Sequence, residues 1–227
     1  MSSAKREREY LGRREGGDLS AEEVRALLRD PEARKLHVVR RALAAHPRTP
    51  RGEAMSLVPT LFWRDLAWIS ADARAHPQVR RAADQEILRR VPGLAASERA
   101  ELARIAGPGT VAVLRKSGEP STVRALLRNR FAVEGDVVFM AITGRDPDSL
   151  EAIALDAVWG LRIAVRAAVA RNRFTPLPLA EGLLSVIPLG DLREICAERW
   201  RAPGFLEIAR ATLAFRTETG TGRILPA

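Results

Sequence analysis

The side chains in this sequence best equipped for chemistry are its arginines. Lysine occurs only at Lys5, Lys35 and Lys116, so nearly all of the positive charge, +9 net at neutral pH, is guanidinium. A guanidinium does not exchange protons near neutrality; its planar fork grips carboxylate or phosphate through two parallel hydrogen bonds. Arginine-rich chemistry is therefore recognition chemistry. Residues suited to proton or metal work are sparse. His37, His46 and His76 lie at no metal-ligand spacing from one another or from Cys196, and a lone cysteine has no partner for an internal disulfide. Gly107–Pro108–Gly109–Thr110 lacks the Gly–Lys–Ser/Thr that a phosphate loop requires. The expectation is a protein that is not an enzyme, with no catalytic residue, cofactor or metal assigned.

Aromatic residues come next. Trp63, Trp68, Trp159 and Trp200 each fall in or beside an expected helix, with arginine close by in Trp63–Arg64 and Arg199–Trp200–Arg201. Indoles among arginines can stack on bases or anchor a protein partner, and equally they fill the space between helices. Asp65 and Asp191 read as first-turn helix carboxylates.

The elements that hold these side chains are helices. Ala, Leu and Arg dominate, hydrophobic residues make up 46% and charged residues 29% of the chain, and β-branched runs are scarce. Ser20–x–x–Glu23 is a capping box that opens a first helix, which stops at Asp30–Pro31. Pro31 then begins a helix running to about Ala45. Thr49–Pro50 reads as a threonine N-cap with proline at the first helical position, opening a short helix that Pro59 closes. Helices follow at 62–71, 77–90, from Ser97, at 110–116 and from Pro120. Further ones are expected at 134–143, 147–157, 159–171, 176–186, 188–198 and 203–216. Residues 1–18 read as a charged, flexible arm and 217–227 as a disordered tail, leaving one domain over 19–216. No run approaches the roughly 18 apolar residues of a membrane span, and a cytoplasmic protein without membrane contact is the expectation.

The chain also repeats itself. Shifted by 126 positions, residues 37–88 match residues 163–214 at 14 of 52 places without a gap, among them Val39–Arg40 on Val165–Arg166 and Thr49–Pro50 on Thr175–Pro176. Two shorter signals alternate through the chain. Leu–x–x–Ile occurs at Leu66, Leu102, Leu150 and Leu192; beyond Val24–Arg25 in the first helix, Val–Arg recurs at Val39, Val79, Val123 and Val165. The shift of 126 is three units averaging 42 residues, each holding two or three short helices.

Val39–Arg40–Arg41–Ala42, Val79–Arg80–Arg81–Ala82 and Val165–Arg166–Ala167–Ala168 resemble the second helix of HEAT-like or armadillo-type repeats. The turns His46–Pro47–Arg48–Thr49–Pro50 and Asn172–Arg173–Phe174–Thr175–Pro176 resemble those of the bacterial leucine-rich repeat variants. The resemblance covers roughly residues 20–215 and implies an all-α, right-handed α-solenoid of four to five units. The second unit departs from it through an insertion at 107–118, and the last lacks Val–Arg. Stacked neighbours would share a continuous core, with Leu66, Ile69, Leu102, Ile105, Leu150, Ile153, Leu192 and Ile195 as its spine.

In such solenoids the second helix of each unit lines the concave face. Residues 34–48, 77–90, 120–130 and 160–173 carry +14 between them against −5 for all the rest, so the resemblance implies an arginine stripe along a groove. Candidate groove residues are Arg41, Arg81, Arg128, Arg162, Arg173, Trp63 and Trp159. For Arg40, Arg80, Arg124 and Arg166 the competing reading is a structural ladder of pairs with carboxylates. The expected function is a non-catalytic scaffold binding an unidentified, acidic protein partner. Nucleic acid along the arginine stripe is the alternative, with a HEAT-like DNA repair glycosylase as its enzymatic version.

Overall fold

The structure is a computed structural model in which residues 19–220 are described; the expected arm at 1–18 and residues 221–227 of the expected tail lie outside them. The described residues are all-helical, without a strand. The chain divides between Thr110 and Val111 into two compact units.

Unit 1 contains α1 (Ala21–Arg29), α2 (Pro31–Lys35), α3 (His37–Ala45), α4 (Arg51–Leu57), α5 (Trp63–Ala71), α6 (Pro77–Arg90) and α7 (Ala96–Ile105). The division falls inside α8 (Pro108–Leu114). Unit 2 contains α9 (Pro120–Leu126), α10 (Glu134–Thr143), α11 (Pro147–Ala154), α12 (Ile163–Arg171), α13 (Leu177–Leu183), α14 (Leu189–Ala197) and α15 (Pro203–Glu218). In each unit helices pack on near neighbours in sequence: α5 on α6 and α7, α3 on α4, α10 on α12, α9 on α11, and α14 on α15.

Local signals explain most helix starts. The Ser20 hydroxyl accepts from the Glu23 amide at 3.2 Å while the Glu23 carboxylate accepts from the Ser20 amide at 2.8 Å. Proline opens α2, α6, α9, α11 and α15 at the position where its missing N–H leaves nothing unpaired. Of the residues expected to form a spine, Leu66, Ile69 and Leu102 are buried in unit 1 and Leu150, Ile153, Leu192 and Ile195 in unit 2. Ile105, at the last position of α7, is exposed instead.

Several boundaries differ from the sequence reading. The helix expected over 31–45 is interrupted at Leu36, whose backbone is extended with ψ at 123°. Thr49 and Thr175 are not N-caps. Pro50 and Pro176 hold that place without a side-chain bond, and the Thr175 hydroxyl instead donates back to the Val169 carbonyl at 2.6 Å, closing the end of α12. Residues 157–161 form turns rather than helix, which sets Trp159 outside α12. Thr217 and Glu218, expected in the tail, are helical, because α15 continues to Glu218.

Short helices leave many carbonyls without an intrahelical partner. Here long polar side chains from a later element supply the missing donors. Arg90 donates to the Leu61 and Pro59 carbonyls at 2.6 and 2.9 Å. Trp159 Nε1 donates to Leu127 at 2.9 Å and Arg201 Nη2 to Ala170 at 2.9 Å. The buried Asn172 amide reaches Ala141, Ile142 and Gly144 at 2.7, 3.2 and 2.8 Å.

The internal likeness extends to these details. Adding 126 to the bounds of α3, α4 and α5 gives the bounds of α12, α13 and α14, and α6 and α15 begin at corresponding prolines. Arg40 donates to the Arg34 carbonyl at 3.0 Å, and Arg166 donates to the corresponding Gly160 carbonyl at 2.7 Å.

Candidate functional site

The place where the two corresponding segments part company lies at the N-termini of α12 and α14. In unit 1 the corresponding corner is closed by the chain's own side chains. Asp65, third residue of α5, accepts from Arg41 Nη1 at 3.1 Å, and its other oxygen lies 2.7 Å from His37 Nε2. The Phe62 ring lies against the His37 ring, 4.5 Å from centroid to centroid. Only 8% of the Asp65 side chain remains exposed.

Unit 2 keeps the carboxylate and removes what covers it. Asp191 is the third residue of α14, but Ile163 stands where unit 1 has His37, Ala167 where it has Arg41, and Pro188 where it has Phe62. Leu161 stands in place of Lys35. The outcome is an open cleft of about 640 Å³ lined by Glu134, Leu161, Arg162, Ile163, Ala164, Ala167, Pro188 and Asp191. Asp191 is more open than Asp65, at 26% side-chain exposure, and meets Arg171 Nη1 at the long distance of 3.3 Å. Arg171 Nη2 holds Glu194 more closely, at 2.6 Å. Leu161 and Ile163 are 64% and 47% exposed. A second cleft of about 530 Å³, in unit 1, contains Glu86, whose carboxylate is already held by Arg89 and Arg90.

The residues singled out by sequence fall into three groups. Arg41 is tied to Asp65, Trp63 is buried beneath the Arg64 guanidinium at 4.6 Å, and Trp159 is half-buried with its indole N–H engaged. These three are structural contacts of their own unit. Arg81 and Arg128 are exposed, and their side chains make no hydrogen bond or ion pair among the described residues. Arg162 lines the unit 2 cleft, and Arg173 lies over Phe174 at 5.3 Å and near Trp200 at 5.9 Å. The structure thus brings one of the seven, Arg162, to the cleft.

The carboxylate ladder does not form as expected. Arg40 and Arg166 donate to backbone carbonyls, while Arg80 and Arg124 make no ion pair among the described residues. Cys196 is half-buried where unit 1 has Ser70, and burial pushes its thiol up from the ordinary range, which lowers its reactivity. Among the described residues no cluster of His, Cys, Asp and Glu could hold a metal ion, and no helix is long and apolar enough to cross a membrane.

Leu161, Ile163, Ala167 and Pro188 escaped the sequence reading, and Asp191 was read there only as a first-turn helix carboxylate. The signal was available: within the 126-residue register, they surround a retained aspartate where charged or aromatic residues have become small or aliphatic. No family model matches the chain, and neither does any curated protein or solved structure.

Proposed function

We propose that the chain is a non-catalytic binding module of HEAT-like helical repeats, and that a partner protein docks on unit 2 at the cleft around Leu161 and Ile163. The carrying observation is the change from Lys35, His37 and Arg41 to Leu161, Ile163 and Ala167 at corresponding positions. A surface exposed to water alone gains nothing from exchanging charged side chains for aliphatic ones. A recognition patch does, because exposed apolar area becomes favourable when a partner covers it. The rim of Arg162, Glu134 and Asp191 supplies the polar border that protein interfaces carry.

The test uses the whole chain as bait for its partner. Leu161→Lys and Ile163→Asp should each abolish capture of a partner that the wild-type chain retains, with helicity unchanged. Lys35→Ala, at the corresponding place in unit 1, should leave capture intact. Equal capture by all three variants would defeat the assignment of the face.

Exposed Arg81 and Arg128 favour nucleic acid as a second reading. Six to ten phosphate contacts would lower affinity by roughly three to five powers of ten between about 50 and 200 mM salt. Weak and salt-insensitive retention on an oligonucleotide column would exclude this reading.

A further inference from the structure

We infer that the unit 2 cleft receives an arginine side chain from the partner, in the place that unit 1 fills with its own. This rests on the docking face proposed above and names the group that enters it.

Unit 1 supplies the template. There a first-turn carboxylate, Asp65, has a neighbour at each oxygen, the Arg41 guanidinium donating to Oδ1 and the His37 imidazole 2.7 Å from Oδ2, with the Phe62 ring against His37. In unit 2 both neighbours and the ring are replaced, yet the carboxylate remains at the same position of the corresponding helix. Asp191 Oδ1 has only the 3.3 Å contact from Arg171, and Oδ2 has no partner among the described residues. The space vacated by a guanidinium, an imidazole and a phenyl ring has become an open cleft.

The lining selects the occupant. Leu161, Ile163, Ala164, Ala167 and Pro188 give the cleft apolar walls, and Asp191 and Glu134 border them with carboxylates. An arginine has a matching division, an apolar stem and a planar charged head able to bind both oxygens of a carboxylate. The charged groups around the cleft are Arg162 and Arg171 against Glu134, Asp191 and Glu194, a net negative balance on a chain that is +9 overall. That balance disfavours phosphate and free carboxylate. Lysine meets the charge but not the two-oxygen geometry.

The probe is N-acetyl-phenylalanyl-arginine amide, whose guanidinium and ring stand for those of Arg41 and Phe62. It is titrated into the full-length, ¹⁵N-labelled chain. Saturable shifts confined to amides of 161–167 and 188–192 are expected, weakened about tenfold by Asp191→Asn and by exchanging the probe's arginine for glutamine. The double substitution Ile163→His with Ala167→Arg should rebuild the unit 1 arrangement and exclude the probe. If the double variant misfolds, Asp191→Asn and the glutamine probe still decide. Absence of saturation, shifts elsewhere, or equal binding by the glutamine probe would overturn the inference. Partner capture that depends on Leu161 but survives Asp191→Asn would keep the docking face and remove the arginine.

Discussion

Arg216 donates from Nη1 to the Ile187 carbonyl at 2.7 Å, and to Leu184 at 3.2 Å, from a side chain that is 1% exposed. No carboxylate meets it among the described residues, and burial holds its guanidinium below the ordinary arginine range. Arg90, 126 positions earlier, does the same for Leu61, the residue corresponding to Ile187. Both arginines stand at or near the end of a helix and close a turn earlier in their own unit.

Removing Arg216 therefore removes donors from two buried carbonyls and opens a cavity. Arg216→Ala should destabilise the chain by about 3 kcal/mol, and Arg216→Met, which restores packing but no donor, by about 1–2 kcal/mol. Arg90→Met should have a smaller effect, because 30% of the Arg90 side chain is exposed and water can replace it. Urea unfolding of the three variants measures the order; an Arg216→Met chain as stable as wild type would show that the carbonyl bonds are dispensable.

Asp65 and Asp191 occupy corresponding positions in opposite circumstances. Asp65→Ala strands the partly buried His37 and Arg41 and should lower stability by about 2–4 kcal/mol. Asp191→Ala releases one long contact at an exposed edge, worth about 0–1 kcal/mol. Thermal unfolding compares the two. Equal losses would mean that Asp191 supports the fold to the same degree as Asp65, and the cleft would lose its carboxylate as a binding group.

The contrast shows which parts of the molecule could be read from sequence. Helix starts at Ser20, Pro77 and Pro120, and the burial of most Leu–x–x–Ile residues, depend on local chemistry and on helical periodicity, both visible in the chain. The part played by Arg40 was not legible. Its partners are the carbonyls freed where the helix breaks at Leu36, and neither glycine nor proline marks that break. Trp63 and Trp159 looked like candidate contacts because residue type alone does not reveal which way an indole faces. The cleft was half legible. The register that aligns Asp65 with Asp191 was in the sequence, but the consequence of His37 becoming Ile163 required knowing that His37 covers Asp65.

Asp84 gives unit 1 a pH dependence. Burial is the largest influence and raises its carboxyl above the usual range, against the Thr110 hydroxyl at 2.7 Å, the Thr110 amide, the Ser70 hydroxyl and Arg80, all of which favour ionisation. A raised carboxylate pKa means that the folded state binds the proton more tightly than the unfolded state does. Stability associated with this group is therefore full below its unfolded pKa and declines as pH rises through the folded one. Asp84→Asn keeps an acceptor for Thr110 without the charge. Its melting temperature should exceed that of wild type at neutral pH, and the difference should shrink on acidification through the carboxylate range. A difference that stays constant across that range would remove Asp84 as its cause.

Asn172 offers the sharpest test of how helix ends are closed. Its side-chain nitrogen serves three carbonyls at the end of α10, while its oxygen accepts from the Phe174 amide at 2.8 Å. Asn172→Ala leaves the buried carbonyls without that donor and should destabilise by about 2–3 kcal/mol. Asn172→Asp is nearly isosteric and keeps the acceptor for Phe174, yet it sets a charge against carbonyl oxygens in a buried place, so it should be the more damaging of the two at neutral pH. Acidification should narrow the gap, because a protonated aspartate regains one donor. Hydrogen exchange at the Gly144 amide, which closes α10 onto Met140 at 2.8 Å, reports the local effect. If Asn172→Asp were milder than Asn172→Ala, shape rather than donation would be what Asn172 contributes.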